Sequence, residues 1–159
     1  MQDLKERFDK LVKKVDKKIE EFRLLRDIVN VEAESPEMLS DKGIRTLNIL
    51  DDMVSLYKDA VQLSKDARDW IRKEEALFQI AKHMKEQKES KYKITDATLN
   101  RFSNADDEIF EKKILVNQIE AEEKRIEQEI INMREFINLL KKGVEAKKNL
   151  ERDYQKISL

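Results

Sequence analysis

Apolar residues recur at steps of three and four positions along three segments of the chain, and charged residues fill most positions between them. This spacing places the apolar residues on one face of an α-helix, because the helix repeats every 3.6 residues. The pattern therefore predicts three long amphipathic helices and no strands.

The first segment lies in residues 1–34 and predicts a helix over residues 3–32. The C-terminal end of this segment is marked by Ser35 and Pro36. Serine is a good N-cap and proline suits the first position of a helix, so the two residues signal the start of the next helix. The predicted buried face of this first helix consists of Leu4, Phe8, Leu11, Val15, Ile19, Phe22 and either Leu25 or Arg26.

The second segment, residues 35–89, predicts a long central helix. Ser40 and Asp41, followed by Gly43, form an alternative start signal within it. Residues 90–104 break the pattern and predict a link with a short helical turn. The predicted apolar seam is Ile44, Leu47, Leu50, Val54, Tyr57, Val61, Ser64, Ala67, Ile71, Leu77 or Phe78, Ala81 and Met84.

The third segment, residues 105–158, predicts a C-terminal helix capped by Ser103 and Asn104. Gly143 marks a place where this helix ends or bends. A seven-residue apolar repeat supercoils a helix around a partner, so the segment predicts a coiled-coil interface between copies of the chain. The predicted interface residues are Val116, Ile119, Ile126, Ile130, Met133, Ile137, Leu140 and Val144.

Polar residues interrupt this repeat at Glu123, Lys147 and Glu151, which indicates either register control or partly open packing. The predicted fold class is therefore all-α, with long helices, coiled-coil packing and a helical hairpin that assembles into a homo-oligomer. Composition agrees with this class, because 42% of the 159 residues are charged while only two are glycine and one is proline.

The absence of cysteine excludes disulfides and thiolate metal sites and favours a cytoplasmic location, in the host cytoplasm if the chain is of phage origin. No apolar run approaches the roughly 18 residues of a membrane span. The charged start Met1–Lys5 is also unlike a signal peptide. We therefore expect no membrane association.

Charge is distributed in blocks although the net charge is -1. Residues 82–93 hold five lysines and two glutamates, residues 105–135 hold ten acids against five bases, and residues 136–159 hold six bases against three acids. Blocks of this kind can form a basic surface on a protein whose overall charge is near zero.

No catalytic or metal-binding arrangement is recognisable. His83 is the single histidine and has no nucleophile or acid at a known motif spacing. The acids Asp106, Asp107, Glu108 and Glu111 lack the spacing of a calcium loop, and helix capping explains them better. We expect no enzymatic activity, no cofactor and no metal.

A basic cluster, here called the lysine stripe, lies at the predicted end of the central helix. Closely spaced lysines bind phosphates, and an aromatic ring can stack on an unpaired base. A solvated helix face is the alternative interpretation, since it is the usual role of such lysines in a chain of this composition. The lysine stripe consists of Lys82, Lys85, Lys88, Lys91, Tyr92 and Lys93.

The order of these features resembles the small helical recombination mediator family of tailed phages. Within residues 44–150, a helix containing Tyr57 and Trp70 leads into the lysine stripe, then Ile94–Leu99, then the acids Asp106–Glu108 that open a long helix. Family members load a recombinase onto single-stranded DNA coated by a binding protein, and their basic residues cluster where Lys82, Lys85, Lys88 and Lys91 stand here.

The chain also departs from that family. Only Lys142-Gly143 stands for the family's arginine-glycine pair, Tyr92 stands for a tyrosine pair, and residues 1–35 have no counterpart. The resemblance implies an oligomeric mediator with single-stranded DNA, a recombinase and a single-strand-binding protein as partners. The alternative is a helical protein-interaction module, either a phage inhibitor of a host or defence protein or a structural coiled-coil subunit, with no nucleic-acid role.

Overall fold

The computed structural model describes residues 2–89, 95 and 106–157, with side-chain surroundings up to residue 85 in the second helix and residue 153 in the last. These residues form three α-helices that pack against each other: α1 (Gln2–Asp27), α2 (Pro36–Glu89) and α3 (Asp107–Ile157). No strand occurs in this part of the chain, so the predicted all-α class is confirmed. No helix within it is long and apolar enough to cross a membrane.

Helix α1 buries the face that its apolar spacing predicts. Val15, Ile19 and Phe22 are almost completely buried, and Leu4, Leu11 and Leu25 are also buried. The helix ends at Asp27 rather than at residue 32. Its continuation is replaced by a turn in which the Asn30 side-chain oxygen accepts hydrogen bonds from the backbone N–H groups of residues 32 and 33, and such local bonds compete with helix.

A buried carboxylate, that of Glu34, links the connection between α1 and α2 to the first turns of α2 by hydrogen bonds. Glu34 accepts one hydrogen bond from the Asn30 backbone N–H at 2.8 Å and another from Lys42, whose ammonium also donates to the Ile28 carbonyl at 3.0 Å. The Lys42 bond, and then the Asn30 bond, lower the pKa of Glu34. Because the folded pKa is lowered, the stabilisation from this group is present at neutral pH and is lost as the pH falls through that pKa.

The two later helices begin at clear capping residues. Ser35 Oγ accepts a hydrogen bond from the Met38 N–H at 3.3 Å, and Pro36 opens α2, which runs without interruption through the alternative start at Ser40. For α3 the cap is Asp106, whose carboxylate accepts from the Ile109 N–H at 3.1 Å. The predicted cap at residues 103 and 104 lies outside the described residues.

The buried face of α2 differs from the predicted seam. Ile44, Leu47 and Val61 are exposed, so the buried face is rotated from the predicted seam. Near its end, Phe78 is half-buried, whereas Leu77 and Met84 are exposed. The buried residues of α2 are Leu39, Thr46, Leu50, Met53, Ala60, Leu63, Ser64, Ala67 and Ile71.

The seam of α3 is buried inside a single chain. Of the residues predicted at an interface between copies, Val144 is half-buried and the following are buried: Val116, Ile119, Ile126, Ile130, Met133, Ile137 and Leu140. They pack against the chain's own helices. The seam was expected to be exposed in a single chain and therefore to drive assembly, but it is buried within one chain. A homo-oligomer stays a prediction, but these residues no longer supply its apolar surface.

The chain divides into two compact units, each containing parts of all three helices. The first unit comprises Met1–Asp9 and Ala60–Glu123; Arg7 pairs there with Asp66 at 2.8 Å. The second comprises Lys10–Asp59 and Lys124–Leu159. In the second unit the rings of Phe22 and Phe136 meet edge to face at 5.6 Å, which joins α1 to α3.

Helix α3 does not end at Gly143 but continues to Ile157, and close packing favours glycine at this position. A Cβ at this position would lie 2.7 Å from Val31 Cγ1 and 3.3 Å from Leu39 Cδ1. Valine has a stiff side chain, so Val31 cannot easily move away. At Gly43, in contrast, the nearest atom to a Cβ would be Leu140 Cδ1 at 3.9 Å, an ordinary contact.

Gly143→Ala is therefore expected to lower the free energy of unfolding, since overpacking costs about 1–3 kcal/mol and exceeds the gain in helix propensity of up to about 1 kcal/mol. Gly43→Ala is the control and is expected to stabilise the chain, because it gains the same propensity without the clash. Urea unfolding followed by circular dichroism measures both. Equal stabilisation by both alanines would contradict the packing at Gly143.

Candidate nucleic-acid interface

The lysine stripe begins on the last turns of α2. Lys82 and Lys85 lie in this helix with described side chains, and the backbone of Lys88 belongs to it as well. The side chain of Lys88 lies outside the described part, and so do Lys91, Tyr92 and Lys93. The structure therefore locates the beginning of the stripe and leaves the rest as a sequence prediction.

Lys82 and Lys85 have different surroundings. The Lys82 ammonium lies 5.9 Å from the centroid of the Phe78 ring, a cation–π contact that holds the half-buried lysine against the helix. Lys85 is exposed and makes no ion pair with any described residue. Lys73, three turns earlier, is also exposed and also makes no ion pair with any described residue. Exposed, unneutralised ammonium groups are what phosphate contact requires.

Two lysines near the start of α3 in the first unit are already neutralised by carboxylates. Lys112 lies between Glu108 at 2.6 Å and Glu74 at 2.7 Å, and these two hydrogen bonds, that of Glu108 first, raise its pKa. Lys113 pairs with Glu75 at 2.7 Å. Such internally paired lysines offer little to a phosphate, so the end of α2 is the more suitable cationic surface.

The outer face of α2 beside these lysines is apolar, a feature that the sequence pattern missed. Leu77, Ile80 and Met84 are exposed, although Leu77 was one alternative for the predicted buried seam and Met84 was predicted to belong to it. Phe78 occupies the seam instead, seven residues after the buried Ile71. A strict seven-residue count from Ile71 would have selected Phe78 and left Leu77 outside.

Two tandem lysine pairs of the second unit, Lys141-Lys142 and Lys147-Lys148, are a second candidate basic surface. Lys147 donates a hydrogen bond to the Glu32 backbone carbonyl at 2.8 Å and so anchors the turn after α1. Lys141, Lys142 and Lys148 are exposed. Only the last three are therefore available to a ligand without breaking a contact that the fold uses.

Nothing in the described residues resembles a metal centre, since no three histidines or carboxylates are grouped to hold an ion. His83 is half-buried on α2 beside Lys82.

Comparison with known proteins adds no family to this geometry. No family model, no curated protein and no solved structure matches the chain. The resemblance to phage recombination mediators therefore rests on the order of residues along the chain.

Proposed function

We propose that the chain is a non-enzymatic protein that binds single-stranded DNA through the lysine stripe and helps to load a recombinase, in the manner of a phage recombination mediator. The observation that supports it is the basic end of α2, where the half-buried Lys82 and the exposed Lys85 lead directly in sequence into Lys91, Tyr92 and Lys93.

The proposed binding mode is electrostatic and independent of base sequence. Each lysine that contacts a phosphate releases condensed counterions, so affinity falls as salt rises. Tyr92 would add stacking on an unpaired base. A few contacts bind weakly in one protomer, and assembly of several protomers on one strand would multiply the affinity.

The second candidate function is a protein-interaction module without a nucleic-acid role. The exposed apolar residues Leu77, Ile80 and Met84 favour it, because contiguous exposed apolar side chains mark surfaces for protein partners. Binding to a labelled single strand at low salt separates the two candidates. Absence of binding there, together with recovery of a protein partner, would favour the module.

Changing Lys82, Lys85, Lys88 and Lys91 together to Ala is expected to weaken single-strand binding and to make the slope of log affinity against log salt shallower. Four lost phosphate contacts at roughly 0.7 counterions each would reduce that slope by up to about 3. Fluorescence anisotropy of a labelled oligonucleotide over a range of salt concentrations measures both quantities. Tyr92→Ala is expected to cost about 1–3 kcal/mol with the slope unchanged, since stacking is not a charge effect.

The matched control changes Lys10, Lys13, Lys14 and Lys17 to Ala. These four lysines are exposed on α1, so the variant loses the same charge from a different surface. We expect it to retain most of the affinity and slope of the wild type. If the stripe variant also retains them, the site is wrong, and Lys141, Lys142 and Lys148 become the candidates.

A further inference from the structure

An open groove lies between α2 and α3 in the second unit. Its volume is about 340 Å³, and its floor is formed by the buried side chains of Leu39, Ile137 and Leu140. Along its α2 margin, Ile44 is 54% exposed and Leu47 is 41% exposed. The groove therefore presents about two helical turns of apolar surface to solvent.

The α3 margin of this groove is basic. Lys141 and Lys148 line it, and Arg134 lies one heptad before Lys141 on the same side of the helix. All three are exposed, and none makes an ion pair with a described residue. Glu145 is the one acid among the lining residues.

Elsewhere in the second unit the charges between helices are paired. Lys18 binds Asp52 at 2.8 Å between α1 and α2, and Arg125 binds Asp16 at 2.7 Å between α3 and α1. Among the described residues, no such ion pair crosses the α2–α3 groove, although Lys148 attracts Glu37 in the first turn of α2 and contributes to lowering the pKa of that carboxyl. The basic margin therefore keeps charge that a partner outside the chain can neutralise.

A surface with the opposite charge lies on the first turns of α3, in the first unit. Phe110 is 57% exposed, and Ile114, one turn later, is 41% exposed. Asp107 and Glu111 flank them, are exposed and make no ion pair with a described residue. Lys5 lines a small cavity with Glu111 and Ile114 but forms no ion pair with Glu111. We call Asp107, Phe110, Glu111 and Ile114 the acidic patch.

The acidic patch and the groove are complementary in three respects. Both are apolar at the centre, both extend over about two helical turns, and their flanking charges are opposite. The sequence shows the same opposition over longer segments, because acids outnumber bases by ten to five in residues 105–135 and bases outnumber acids by six to three in residues 136–159. Each chain thus carries both halves of a contact.

We propose that the α2–α3 groove of one copy receives the acidic patch of a second copy. Phe110 and Ile114 cover the apolar floor, and Asp107 and Glu111 face Lys141 and Lys148. Burial of the exposed apolar groups supplies the attraction, and the opposite charges fix the register. This contact replaces the α3 seam as the interface between copies and does not depend on DNA binding.

Charge reversal tests the proposal through the mass of the protein in solution, measured by analytical ultracentrifugation. Lys141→Glu with Lys148→Glu makes both surfaces acidic, and Asp107→Lys with Glu111→Lys makes both basic. We expect the wild type to associate at micromolar concentration and each variant alone to associate at least about tenfold more weakly, because like charges then meet. An equimolar mixture of the two variants is expected to associate again, since opposite charges face each other in both contacts.

The control variant combines Lys13→Glu with Lys142→Glu, which makes the same charge change at exposed positions outside the groove. It is expected to keep the wild-type mass, and circular dichroism verifies that every variant remains helical. The proposal is overturned if the wild type stays monomeric up to about 100 µM, a concentration at which even a weak specific dimer is populated. It is also overturned if the reversals leave the mass unchanged, or if the mixture fails to associate.

Discussion

Ile126→Asp and Met133→Asp, each made alone, are expected to unfold the protein. Both side chains are 0% exposed in the seam of α3. Removing such a side chain costs about 2–5 kcal/mol, and burying an unpaired carboxylate costs several kcal/mol more. Together these two costs approach the total free energy of unfolding of a domain of this size, which is about 5–15 kcal/mol.

Matched controls on the same helix are Ile131→Asp and Leu139→Asp, whose side chains are partly exposed. These variants are expected to remain folded, with changes within about 1 kcal/mol. Thermal unfolding followed by circular dichroism, repeated over a range of protein concentrations, measures all four. Because the seam is buried within one chain, the loss in the first two should not depend on concentration. A concentrated sample that regains structure would show instead that the seam lies between copies.

Deleting residues 1–32 is expected to cause the second large loss of stability. The deletion removes Val15, Ile19 and Phe22, and it uncovers Phe136 on α3, whose ring packs against Phe22. The thermal melting temperature of the truncated chain is expected to fall well below that of the whole chain. If the truncated chain melts unchanged, α1 is an independent arm that binds a partner.

A point substitution in the full-length chain shows whether the deletion acts by removing packing contacts rather than by shortening the chain. Phe22→Ala is expected to cost about 3–5 kcal/mol, which corresponds to roughly 6–20 °C in melting temperature for a chain of this length. Leu24→Ala, two residues further along the same helix, is the control, since Leu24 is 61% exposed. Similar melting temperatures for the two variants would contradict the docking of α1.

The sequence by itself determined the features that depend on local spacing. Apolar residues at steps of three and four fixed the existence of the helices and the buried face of α1, because a helix places these positions on one side whatever it packs against. Local signals also marked the start of α2, since Ser35 caps it and Pro36 opens it. The position of Lys82 and Lys85 is another such feature, because the local pattern predicts a helix over residues 35–89 and both lysines lie within it.

Only the tertiary structure decided what each face contacts. In α2, Thr46 and Ala60 are buried while Ile44 and Val61 are exposed, so burial there does not follow the apolarity of single residues. The α3 seam has the same heptad pattern whether a second copy or the chain's own helices cover it, and the fold selected the chain's own helices. The basic groove and the acidic patch are surfaces that stay exposed when the helices pack in this way. Whether a residue is exposed depends on how all the other residues pack, so these surfaces are a property of the tertiary structure.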